Sequence, residues 1–174
     1  MRLNGKRAAI LAEDIYNELE LWIPYYRLKE EGVVVTIVGT GTSSTYKGKY
    51  GIPVAVDRIA SEVTSADFDV VVIPGGYAPD KMRLDPHMVS LVRDMFNEGK
   101  VVASICHGGW MLVSAGILGG KRATSYVAIR DDMVNAGACW EDAELVRDGN
   151  LITSRKPEDL PAFCRAVIQA IGES

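Results

Sequence analysis

The run Phe68-Asp69-Val70-Val71-Val72-Ile73-Pro74 constrains the fold more than any other stretch of this chain. Its four consecutive β-branched residues leave no polar face to turn toward water. A strand of that composition belongs in a parallel sheet covered on both sides. Residues 6–12, 33–38 and 101–105 read as further buried strands, and 123–126 and 151–154 as shorter ones. Residues 39–51 read as a loop or short hairpin, and 54–57 as a small strand. Leu19, Trp22, Ile23 and Tyr26 recur at i, i+3, i+4, i+7, so the spacing predicts a first helix with an apolar stripe. Pro24 falls inside it, which predicts a kink or a late start. Asp85, Pro86 and Gly99 punctuate another helix as N-cap, first turn and C′ residue. Between them, Met88, Leu91, Val92, Met95 and Phe96 share one face. A helix at 107–115 should follow the turn at Cys106, with two more at 129–136 and 160–171. Strands alternating with helices imply an α/β fold with a mostly parallel sheet between two helix layers.

Length and charge narrow the function. The 174 residues, 24% of them charged, suit a single domain spanning 1–174. A net charge of −4 argues against nucleic acid or an anionic membrane as partner. Arg2, Lys6 and Arg7 precede a short apolar stretch that Glu13-Asp14 ends too soon for a signal peptide. Three cysteines without tight spacing make no disulfide framework, which points to a reducing, cytoplasmic setting.

The strand at 101–105 runs straight into Cys106-His107-Gly108-Gly109. Small residues, Ser104 and Gly108, flank the thiol. That is the composition of a nucleophile elbow, a strand-to-helix turn on which a reactive side chain stands free. A helix N-terminus there would favour the thiolate. Cys139 and Cys164 lack this setting and read as structural. A thiol nucleophile needs a base or ion-pair partner. His87 falls in the first turn of a helix, which leaves His107. With two histidines and no zinc-type spacing, no metal site is expected. Gly75-Gly76 ends the neighbouring strand. Its backbone could supply Gly76 N–H, with His107 N–H, as an oxyanion hole, or be an ordinary turn. Glu18 and Glu20 open the first helix near the same sheet edge, and spacing alone does not choose between them.

Ala103-Ser104-Ile105-Cys106-His107-Gly108 resembles the nucleophile motif of the PfpI family, within the class I glutamine-amidotransferase-like superfamily. The resemblance extends through residues 24–32, Val72-Ile73-Pro74-Gly75-Gly76, Thr124-Ser125-Tyr126, residues 131–137 and Thr153-Ser154-Arg155. It implies a flavodoxin-like sandwich that forms dimers and often hexamers. It implies Cys106 as nucleophile, His107 as its partner, and Glu20 rather than Glu18 as the carboxyl beside the thiol. Gly75 and Tyr126 fall in the implied substrate pocket. The third triad member, a glutamate from a neighbouring subunit in protease-type relatives, corresponds to Asp80, one methylene shorter. Cys139 replaces an often acidic residue.

The resemblance implies no cofactor. It implies action on small aldehydes or glycated proteins, of deglycase or glyoxalase type, in stress protection. Two alternatives stand beside this: peptide hydrolysis by a Cys106-His107-Asp80 triad, and a non-enzymatic redox or stress sensor working through Cys106 oxidation.

Overall fold

A computed structural model describes residues 3–174, so Arg2 lies outside the described residues. Strand β1 (Arg7–Ala12), helix α1 (Glu18–Glu30) and strand β2 (Val34–Gly39) form the first βαβ unit, with β1 and β2 parallel. A hairpin of β3 (Thr45–Lys47) and β4 (Pro53–Ala55) follows, then a short strand β5 (Arg58–Ile59) on β2. Strand β6 (Val70–Ile73) is buried at every position. It leads through α2 (Ala78–Met82) and α3 (Pro86–Asn97) to β7 (Val101–Ile105). One 3₁₀ turn, Cys106–Gly108, joins β7 to α4 (Gly109–Ala115). The chain closes with β8 (Arg122–Ala123), α5 (Arg130–Asn135), β9 (Cys139–Trp140), β10 (Val146–Asp148), β11 (Leu151–Ser154) and α6 (Leu160–Glu173).

The main sheet has the order β10-β11-β7-β6-β1-β2-β5. Its pairs are parallel except for the β10–β11 edge. From β1 the chain steps one way to β2, and from β6 the other way to β7. Right-handed crossovers in opposite directions put their helices on opposite faces. Accordingly α1 packs with α6 on one face, and α3 with α4 on the other. This is a flavodoxin-like sandwich. The direction reverses between β1 and β6, and crevices beyond strand carboxyl ends at such a switch point are where open α/β sheets place their sites.

The first helix departs from its reading. Its stripe faces outward: Leu19 is 50%, Ile23 38% and Tyr26 63% exposed. Leu21, Pro24 and Leu28 face the core instead, together with two glutamates. Pro24 neither starts nor ends the helix, which begins six residues earlier on the Asn17 cap. The expected strand at 123–126 shrinks to β8 and pairs with β9 outside the main sheet. Helix α2 and strand β10 lie in stretches to which the sequence assigns no element, because both are too short to show a period. Cys164 is buried, as expected of a structural thiol, whereas Cys139 is exposed.

Candidate active site

The site grows from three strand ends. After β6, the backbone turns at Gly75-Gly76 and comes back against the segment following β1. Asn17 N–H donates to Gly75 O at 3.2 Å and Tyr77 N–H to Ile15 O at 2.8 Å. Gly76 has φ +77°, and a Cβ there would lie 2.5 Å from Ile15 O and 2.6 Å from Asn17 N. Only glycine meets both demands. Gly76→Ala is expected to cost about 2 kcal/mol and lower Tm by about 6 °C, read by thermal unfolding.

Cys106 sits one residue past β7 with φ +60°, a left-handed conformation that only Ile15 shares among the described non-glycine residues. The elbow is therefore strained by about 1–2 kcal/mol. Gly108 allows it, since a Cβ there would lie 2.6 Å from Ile73 O. The backbone N–H groups of His107 and Gly76 lie by the Cys106 sulfur and lower its pKa against the effect of burial. His107 Nδ1 lies 3.3 Å from Sγ. The imidazole is stacked on Tyr126 at 5.0 Å and meets Trp110 edge-on at 5.3 Å, which fixes its orientation. Burial, then the Lys49 charge, holds the His107 pKa below its ordinary value, so the ring is a free base near neutrality.

Glu20 lies beneath the thiol and is wholly buried. The Asn17 side chain caps α1 by accepting from Leu19 and Glu20 N–H, which brings Glu20 under the sheet edge. Its Oε2 accepts from Gly75 N–H at 2.7 Å, while the buried Oε1 has no hydrogen-bond partner among the described residues. Burial raises the Glu20 pKa to about 7, against the lowering effect of the Gly75 N–H. Burial, then the Glu20 charge, pushes the Cys106 thiol up to about 12. The helix-end effect alone thus does not make a thiolate here. The Glu20 charge adds to the cost of ionising the sulfur, so a thiolate forms most readily while Glu20 is protonated.

Glu18, left open beside Glu20 on spacing, has a different task. Its Oε1 accepts from Tyr50 N–H at 2.6 Å and Ile52 N–H at 3.4 Å, anchoring the loop between β3 and β4. That loop and the segment after β11 complete a pocket of about 470 Å³, lined by Glu20, Lys49, Gly76, Cys106, His107, Tyr126 and Lys156 among others. Gly75 is buried behind the lining, engaged with Glu20. Asp80 is exposed on α2 and does not line the pocket of its own chain. Lys49 and Lys156 were not singled out from the sequence, because nothing local marks a loop lysine as a pocket residue. His87 is exposed at the start of α3, its N–H donating to the Asp85 cap. Among the described residues, no group of three or more His, Cys, Asp or Glu side chains could hold a metal ion, and no helix is long and apolar enough to cross a membrane.

Comparison with known proteins agrees with this architecture. The chain is 48% identical to a deglycase of Pyrococcus abyssi over 165 residues, 95% of this chain and 99% of the relative. It is 39% identical to protein/nucleic acid deglycase 2 of Escherichia coli over 97% of this chain and 99% of that one. A two-domain crystal structure from Anabaena variabilis, with DJ-1/ThiJ/PfpI-like and ferritin-like domains, superposes with a TM-score of 0.94 at 45% identity. That match covers 96% of this chain and 48% of the other, so the chain spans about half of that protein. The DJ-1/PfpI family model matches residues 6–170, and with these relatives it shows that the chain belongs to the DJ-1/PfpI family.

Proposed function

We propose that this chain is a cysteine-dependent enzyme that removes or converts reactive carbonyl adducts, of deglycase or glyoxalase type, without a cofactor. The observation that carries the reading is the convergence on one sulfur of Glu20, His107 Nδ1 and the N–H groups of Gly76 and His107. The deglycase names of relatives aligned over nearly the whole chain support it.

The chemistry follows from those positions. Methylglyoxal released from an adduct leaves a free thiol or amine behind. The Cys106 thiol loses its proton to His107 or Glu20, and the sulfur adds to the aldehyde carbon to form a hemithioacetal. The developing oxyanion is met by the Gly76 and His107 N–H groups. Transfer of the aldehyde hydrogen to the adjacent ketone carbon oxidises the first carbon to a thioester and reduces the second to an alcohol. Water then cleaves the thioester, regenerating Cys106 and giving lactate. The balance is methylglyoxal plus water to lactate plus a proton, with no external oxidant or reductant. Positioned proton transfer by His107 contributes about 10²–10⁴-fold to such steps.

Asp80 enters this reading through a neighbouring subunit. Exposed four residues past Gly76, it would reach the free side of His107 only in an oligomer. The three cysteines are unpaired, which suits a reducing cytoplasm. The test is incubation of the wild-type protein with the methylglyoxal hemithioacetal of N-acetylcysteine. Lactate and free thiol should appear in equal amounts, faster than without protein. Absence of both above the background rate would refute the assignment.

A further inference from the structure

Two lysines face the Cys106 pocket from opposite connections, Lys49 from the β3–β4 loop and Lys156 from the segment after β11. Among the described residues neither is within ion-pair distance of a carboxylate, whereas Lys6, Lys81, Lys100 and Lys121 each sit against one; Lys49 interacts with the Glu20 carboxyl only at longer range. In a chain of net charge −4, two ammonium groups without an ion-pair partner at one pocket are a local reversal of sign.

The backbone under both is fixed. Lys49 N–H donates to Tyr16 O at 2.8 Å, and Gly48 N–H donates to Ile52 O at 2.9 Å. Buried Glu18 holds Tyr50 N–H on the far side. The Lys49 ammonium also lies 5.6 Å from the centre of the Tyr50 ring. On the other connection, Arg155 is tied to Asp159 at 3.0 Å and to Asp142 at 2.7 Å, and Asp159 N–H donates to Lys156 O at 2.9 Å. Lys156 therefore leaves a braced turn. The Gly76 and His107 N–H groups add positive dipoles at the pocket floor. Two acids oppose this field. Glu20 is buried beneath the thiol, where burial raises its pKa to about 7, and Glu158 lies beyond Pro157 outside the lining.

We propose that Lys49 and Lys156 make this pocket selective for carbonyl substrates carrying an anionic group, a carboxylate or a phosphate, over neutral ones of the same size. The proposal rests on Cys106 being the reacting group. Glu18 acts in it as a positioning residue that keeps Lys49 at the pocket.

Alkylation of Cys106 tests the selectivity without requiring turnover. Iodoacetate and iodoacetamide differ in one charge, so the ratio of their rates cancels any change in thiolate fraction. Referred to the free thiol of N-acetylcysteine amide, which carries no carboxylate, the wild-type ratio should be raised about fivefold or more at low salt and should fall as salt is added. Lys49→Met and Lys156→Met should each lower it by about two- to threefold, and the double variant should return it near the free-thiol value. Glu18→Ala should lower it as Lys49→Met does, and Glu18→Gln, which keeps an acceptor oxygen, should restore it. Protection from iodoacetamide by acetate would name a carboxylate ligand, and protection by inorganic phosphate a phosphate ester. A wild-type ratio equal to that of the free thiol, unchanged in the double variant and with protection by neither anion, overturns the proposal.

A substrate arm separates this from the proposed activity. Hemithioacetals of N-acetylcysteine and of its amide differ only in a carboxylate. Turnover of both at equal kcat/KM contradicts the selectivity while leaving the activity standing. A raised alkylation ratio with turnover of neither upholds the anion-selective pocket and contradicts the activity.

Discussion

Cys106→Ala is expected to lower turnover of methylglyoxal adducts by about 10⁴-fold or more, to near the uncatalysed rate. Thermal unfolding and the oligomeric state should stay close to wild type. The substitution removes one heavy atom and keeps a Cβ, so alanine carries the same left-handed strain that cysteine does at φ +60°. The two N–H donors and the stacked His107 ring stay in place, because neighbouring residues hold them and the sulfur does not. Loss of activity in a normally folded variant therefore reports on the thiol itself. Retention of more than a tenth of the activity would place the chemistry on another group.

Glu20→Gln should have two large and opposite effects. Activity should fall by about 10²-fold, since an amide cannot take up the proton that Cys106 must release. Stability near neutral pH should rise. The folded-state pKa of Glu20 is raised to about 7 from an ordinary 4.5. Between those two values the folded protein holds a proton that the unfolded chain has lost, so stability falls as pH rises across that window. Below it both states are protonated, and above it the full cost of a buried carboxylate is present. Glutamine does not titrate. The unfolding free energy of the variant relative to wild type should therefore grow by about 3 kcal/mol between about pH 4.5 and about pH 8. Comparing the two proteins cancels every other titrating group. A difference that does not vary with pH would mean that Glu20 is not the buried carboxyl of raised pKa described above.

Residues whose environment follows from their own segment were legible in the sequence. β6 and β7 were readable because runs such as Val70-Val71-Val72-Ile73 can be satisfied only inside a covered sheet. The elbow was readable because a strand ending in Ser-Ile-Cys-His-Gly-Gly leaves a thiol between small neighbours at the sheet's carboxyl edge. The orientation of α1 was not. Periodicity at Leu19, Trp22, Ile23 and Tyr26 marks a helix but carries no information about which side meets the sheet. The buried side here includes Glu18 and Glu20, whose burial depends on backbone donors about 30 and 55 residues away. Spacing left those two glutamates equivalent, and resemblance to the family favoured Glu20. Their hydrogen bonds separate them, one to the floor of the pocket and one to the loop at its mouth. Lys49 and Lys156 were illegible for the same reason, being brought to one pocket by topology from opposite sides of the chain.

The central claim is that Cys106 carries the reaction, and graded alkylation tests it most directly. Cys139 is exposed and Cys164 is buried, so three thiols with different access compete for iodoacetamide in one molecule. Samples quenched at increasing times would be assayed for lactate formation and mapped by mass spectrometry for modification at each cysteine. The predicted result is that residual activity falls in direct proportion to unmodified Cys106, whatever fraction of Cys139 is already labelled. Activity that follows Cys139, or that persists once Cys106 is fully alkylated, would contradict it.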